Sequence, residues 1–202
     1  MLNYLEPPNA YYDFENIYSQ DEWQQKQTWF SNAIQTLDSD VIGFQEVFSP
    51  GSLASLLQTL GYPYFEVVDS PHVESDYLYT SPVVAIASRY PIIQVRPVTP
   101  NLDLLKSFNA ASDFSFNRTP VHATIDLPHL GATDCYVVHF KSQRPSEPSP
   151  DTDTDTDTDT DTDKNKEPSS DSLNQLHTEQ LGRWLSTVQR GFESNLLHKY
   201  IS

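Results

Sequence analysis

The sequence predicts an α/β fold, and three observations carry that expectation. Short apolar runs rich in β-branched and small residues alternate with segments whose apolar residues recur at helical spacing. Two of these runs, Asp40–Val47 and Tyr136–Ser142, each end on one reactive polar group, Glu46 and His139. The 202 residues are 37% hydrophobic and 12% aromatic, enough to fill the core of one domain.

The elements follow in chain order. Ser19, followed by Asp21 and Glu22, reads as the cap and acidic first turn of a helix over 19–37. Trp23, Trp29, Phe30, Ala33, Ile34 and Leu37 give that helix its apolar spacing. The strand Val41–Phe44 comes next, then Leu53, Leu56, Leu57 and Leu60 on a second helix stopped by Gly61-Tyr-Pro63. Tyr64–Val68, Pro82–Ala87 and Ile92–Val98 read as extended, whereas 99–117 reads as a long loop or short helix. Val121–Leu127 and Cys135–Phe140, separated by the turn Pro128–Gly131, read as a hairpin. Leu173–Ile201 is a long amphipathic helix with Leu181, Trp184, Leu185, Val188, Phe192 and Leu196 on one face.

Charge narrows the function. The net charge is −16, and removing the seven aspartates of Asp151–Asp163 still leaves −9. Such a chain gains little from counterion release, which argues against a broad basic surface for DNA or RNA. Between Pro145 and Asp171, clustered Pro and Ser and a strict Asp-Thr alternation leave nothing to bury, so a disordered, solvated insertion is expected over 146–172. The tract lacks the Gly and closing Glu of a calcium loop. Cys135 stands alone, precluding an internal disulfide, and reads as a small buried hydrophobe. No membrane span and no signal peptide is legible, so the chain as written is expected in the cytoplasm.

Motif searches for other chemistries are negative: there is no Gly-x-Ser-x-Gly, no phosphate-binding loop ending in Gly-Lys-Ser/Thr, and no Cys or His pair at zinc spacing. His72, His122, His129, His177 and His198 are scattered and read as surface or packing residues. An oxygen-ligand, phosphate-directed set remains. Glu46 is a hard carboxylate suited to Mg²⁺ or Mn²⁺, His139 can donate to a phosphoryl oxygen, and Arg118 and Lys141 can neutralise charge there. By residue type alone, an ordinary strand-end carboxylate and solvated surface charges explain the same residues.

Order and context add to this. Asp40-Val-Ile-Gly-Phe-Gln-Glu46-Val, Val84-Ala-Ile-Ala-Ser-Arg-Tyr-Pro-Ile92, Asn117-Arg-Thr-Pro-Val-His-Ala123 and Val137-Val-His-Phe-Lys-Ser142 resemble successive motifs of the endonuclease/exonuclease/phosphatase superfamily. The resemblance implies a four-layer α/β sandwich, here incomplete and mostly one sheet with covering helices. It places the strands at 41–44, 83–87, 121–127 and 135–140 in that sheet, with an inner face left open to self-association. It implies a divalent metal, Mg²⁺ or Mn²⁺, on Glu46, a phosphate-bonding role for His139, and phosphate contacts from Arg118 and Lys141. The substrate would be a phosphoester: nucleic acid, phospholipid headgroup or sugar phosphate.

Two departures bear on activity. Such proteins open on a strand ending in Phe-Asn or Trp-Asn, whereas Met1-Leu-Asn3-Tyr resembles the residues after that pair, so Asn3 is not expected to be the metal asparagine. Gly-Asp-x-Asn and Ser-Asp-His are both absent from the sequence. The expected organisation is therefore an amino-terminal half-domain over 1–145, the insertion, and a helix of the same domain over 173–202. Its expected behaviour is that of a truncated, inactive hydrolase, or of a non-catalytic acidic interaction protein or gene remnant using the surviving sheet.

Overall fold

The computed structural model describes residues 3–101, 103, 106, 114–145 and 170–202. The Asp-Thr tract, most of the 99–117 segment and the expected disordered insertion up to 169 lie outside the described residues. The chain falls into two compact units, one reaching His139 and including Tyr200–Ser202, the other comprising Phe140–Lys199.

In the first unit a short β1 (Ala10–Tyr11) precedes α1 (Gln20–Leu37). The Ser19 side chain accepts the Glu22 N–H, and Glu22 accepts the Ser19 N–H at 2.8 Å, which completes a capping box. β2 (Val41–Val47), α2 (Pro50–Thr59), β3 (Tyr64–Glu66), β4 (His72–Ser75), β5 (Leu78–Ser81), β6 (Val83–Ser88), β7 (Ile92–Pro97), β8 (Val121–Leu127) and β9 (Gly131–Val137) follow. The expected hairpin is present as β8–β9, in register from Val121↔Val137 to Leu127↔Gly131. Its second strand begins earlier than predicted and ends two residues before His139, because Gly131, at φ +71°, carries the left-handed turn.

The strands form three three-stranded sheets, ordered β2-β6-β3, β7-β8-β9 and β1-β5-β4. This corrects the expectation of mostly one sheet: Val41–Phe44 and Val83–Ala87 share one sheet, Val121–Leu127 and the strand containing Cys135 another. β6 lies between two layers and is buried on both faces. Val83, Ala85 and Ala87 join a cluster with Trp23, Phe30 and Ile34 of α1 and Leu53 and Leu57 of α2. Val84 and Ile86 pack instead with Val121, Ala123, Ile125 and Val137. The unit is thus layered helix, sheet, sheet. Both sides of β6, one strand of the sheet face expected to be open, are covered within this unit.

β7 and β8 carry a further polar cluster. The His122 ring is buried, with Nδ1 3.0 Å from the Tyr200 hydroxyl and Nε2 3.0 Å from Asp134 Oδ1, a packing histidine as expected. Cys135 is half-buried against the second cluster, and burial pushes its thiol pKa up.

In the second unit α3 (Ser170–Ile201) buries Gly182, Ser186, Glu193 and Leu196. Leu181, Trp184, Leu185 and Phe192 stay exposed. The buried face is chosen by hydrogen bonding: Glu193 Oε2 accepts the Lys141 N–H at 2.6 Å, and Ser186 Oγ donates to the Arg144 carbonyl at 2.6 Å. No helix among the described residues is long and apolar enough to cross a membrane.

Candidate active site

The site begins with an irregularity in β2. Its pairing with β6 passes from Phe44↔Ala85 to Val47↔Val83, so Gln45 and Glu46 together face a single residue of the partner strand. That extra residue makes a β-bulge, which extends the strand past its predicted end at Phe44 and re-aims the side chain of Glu46. Phe44 and Val47 remain in the core while Glu46 takes a left-handed backbone at φ +60°, rare for a residue with a Cβ. The Gln45 amide donates to the Val138 carbonyl at 2.7 Å, tying the bulge to the segment that leads into His139.

Residues 3–5 run beside the end of β2. Tyr4 pairs parallel with Val47, its N–H donating to the Glu46 carbonyl at 2.9 Å and its carbonyl accepting the Phe48 N–H at 2.9 Å. Tyr4 is fully buried against Trp23 and Phe30, with ring centroids 4.9 and 5.4 Å away. This anchor puts Asn3 next to Glu46. The Asn3 N–H donates to Glu46 Oε2 at 3.2 Å, while its own Oδ1 is buried without a hydrogen-bond partner.

Two more buried groups lack partners: Nε and Nη1 of Arg118, and Nδ1 of His139. Burial pushes the His139 pKa down to about 4, with the Arg118 guanidinium adding to the depression and Glu46 opposing it. At neutral pH His139 is therefore an uncharged imidazole with one donor and one acceptor nitrogen. Lys26, on α1, donates to the Tyr18 hydroxyl at 2.7 Å and sits 4.4 Å from that ring's centroid. Burial pushes the Lys26 ammonium pKa down, and the negative charge of Glu46 pulls it back up.

The fold therefore gathers Glu46, Arg118 and His139, three of the four residues singled out from sequence. The fourth, Lys141, is described with the second unit, where its N–H is held by Glu193. Lys26 was not singled out from sequence, and Asn3, expected there not to be the metal asparagine, lies beside Glu46, 43 residues on. Among the described residues no group of three or more His, Cys, Asp or Glu could hold a metal ion. Oxygen donors here come as one carboxylate and one amide. That set suits Mg²⁺, which keeps several waters and needs only one or two protein carboxylates, and Asn3 Oδ1 is a buried acceptor in want of a partner.

No family model and no curated protein matches the chain. Part of it is similar to a solved structure, the endonuclease/exonuclease/phosphatase from Beutenbergia cavernae DSM 12333, at 20% identity and a TM-score of 0.38. The match covers 57% of this chain and 33% of that one, so the likeness spans about a third of the solved protein.

Proposed function

We propose that the chain carries part of the site of a divalent-metal-dependent phosphoester hydrolase. The observation behind this reading is the cluster of unpartnered buried polar groups, Asn3 Oδ1, Arg118 Nε and Nη1, and His139 Nδ1, set around one strained carboxylate. Leaving such groups unpaired costs about 1–3 kcal/mol each, and a ligand that satisfies them all recovers that energy. Mg²⁺ or Mn²⁺, held by Glu46 and Asn3, would supply Lewis-acid neutralisation of a phosphoryl oxygen. This revises the sequence expectation for Asn3.

The chain's own residues then divide the phosphate. Arg118 offers buried donors and a permanent positive charge to oxygens that gain negative charge as phosphorus becomes five-coordinate. His139, neutral, donates a hydrogen bond without adding a second cation beside Arg118. The resemblance also gives Lys141, in the same His-x-Lys-Ser motif, as a phosphate contact. In this reading the helix–sheet–sheet unit is three layers of a four-layer sandwich, and the 1–145 segment and α3 belong to one incomplete domain. Gly-Asp-x-Asn and Ser-Asp-His, which in the resembled superfamily carry the Asp that orients or deprotonates the attacking water, are absent from these 202 residues, and this chain taken alone is proposed to bind the phosphoester without turning it over.

Mn²⁺ titration followed by electron paramagnetic resonance tests the assignment. The expected result is one bound Mn²⁺, lost in Glu46→Ala and weakened in Asn3→Ala. Mn²⁺ binding indifferent to both substitutions would overturn it.

A further inference from the structure

A cleft of about 510 Å³ opens on the first unit, between the turn at Asp69–Pro71, the start of β4, Ser81–Val83 and the 116–119 segment. Arg118 lines it, and the same guanidinium acts electrostatically on His139. The cleft therefore adjoins the phosphate end of the site through a residue common to both. One of its edges is pinned, because Thr119 Oγ1 donates to Asp69 Oδ2 at 2.7 Å across 50 residues of chain.

The volume falls within the ~300–1,000 Å³ of small-molecule sites. The lining then narrows the chemistry. A polyanion would need several cations, whereas Arg118 is the only Lys or Arg among the lining residues, His72 is the only other basic side chain, and Asp69 puts a carboxylate among them. A long acyl chain would need a continuous apolar wall, whereas serine, asparagine and threonine interrupt Val73, Pro82 and Phe116 here. What remains is a neutral ring with one flat or apolar side and several hydroxyls, attached to a single phosphate.

Resting on the hydrolase reading above, we propose that this cleft is the subsite for the group esterified to the phosphate, and that it takes a nucleoside or a sugar bearing one phosphate. Inositol polyphosphates and diacyl lipids are excluded by its charge and its lining.

The experiment is isothermal titration of the full chain in Mn²⁺ with inorganic phosphate, adenosine monophosphate, glucose phosphate and inositol trisphosphate. Expected is a gain over inorganic phosphate of at least about tenfold, ~1.4 kcal/mol, for the nucleotide or the sugar phosphate, the tighter of the two identifying the source. Inositol trisphosphate should bind no better than phosphate. Val73→Trp, at a position 41% exposed, should cancel the gain by filling the cleft while leaving phosphate binding intact. Ser70→Lys, which adds a cation to the lining and leaves the Thr119–Asp69 hydrogen bond in place, should improve the trisphosphate selectively. Phosphate bound with no gain for either monoester, a gain that survives Val73→Trp, or a preference for trisphosphate would overturn the subsite while leaving the hydrolase reading standing. Failure of every ligand, inorganic phosphate included, would overturn both.

Discussion

Glu46 is held by its neighbours against its own backbone preference. A left-handed conformation costs an L-residue about 1–2 kcal/mol, and the bulge, the Tyr4 pairing and the Asn3 N–H keep Glu46 in it. Replacement by Gly or Ala removes the carboxylate alike, but only Gly tolerates the geometry. Glu46→Gly should therefore be more stable than Glu46→Ala by about 1 kcal/mol, measured by urea unfolding, with both unable to bind Mn²⁺. His139 supplies a second prediction at this scale. Its pKa falls from 6.5 to about 4 on folding, so above about pH 6.5 it is neutral in both states and contributes no pH dependence. As pH falls from 6.5 toward 4 the unfolded chain takes up a proton that the folded one refuses, and stability declines through that window. His139→Gln should flatten this part of the stability–pH curve; an unchanged slope would show that the imidazole is not buried as described.

At the scale of elements, the approach of β2 to β9 depends on a missing side chain. A Cβ on Gly43 would lie 3.1 and 3.2 Å from the two methyls of Val137, closer than ordinary contact. Gly43→Val should cost about 1–3 kcal/mol by overpacking, and Val137→Ala in the same chain should return part of that loss. Strict additivity in this double-mutant cycle would show that the two positions do not touch. The long helix teaches a related lesson. The sequence puts Leu181, Trp184, Leu185, Val188, Phe192 and Leu196 on one apolar face, of which Leu196 is buried and Val188 half-buried, while Gly182, Ser186 and Glu193 are buried as well. Periodicity marks where a helix could be buried, but the Lys141 N–H needed an acceptor and the Arg144 carbonyl a donor, and Glu193 and Ser186 supply them.

For the molecule as a whole, the proposed site comes without Gly-Asp-x-Asn or Ser-Asp-His among the 202 residues. Removing a single member of a cooperating catalytic set commonly costs factors of order 10³–10⁶. We expect hydrolysis of bis(p-nitrophenyl) phosphate by this chain to fall below about 10⁻⁴ of that of a relative with both missing motifs. Mg²⁺-dependent turnover abolished by Glu46→Ala would instead mean that residues of this chain replace the absent aspartates.

The sequence by itself determined the class of fold, the helices 19–37 and 52–60, the β8–β9 hairpin, and Glu46 and His139 as polar groups ending apolar runs. These are local facts, written in side-chain period, caps and turn residues. The tertiary structure decided the rest. Strand order split the expected single sheet into layers and buried β6 on both faces, since which strand pairs with which depends on long-range packing that period-two alternation does not encode. The bulge at Glu46, the arrival of Asn3 beside it and the unpartnered Nε and Nη1 of Arg118 are likewise products of assembly: each arises where segments distant in sequence meet, and the residue types at those positions fit an ordinary surface equally well until the chain folds.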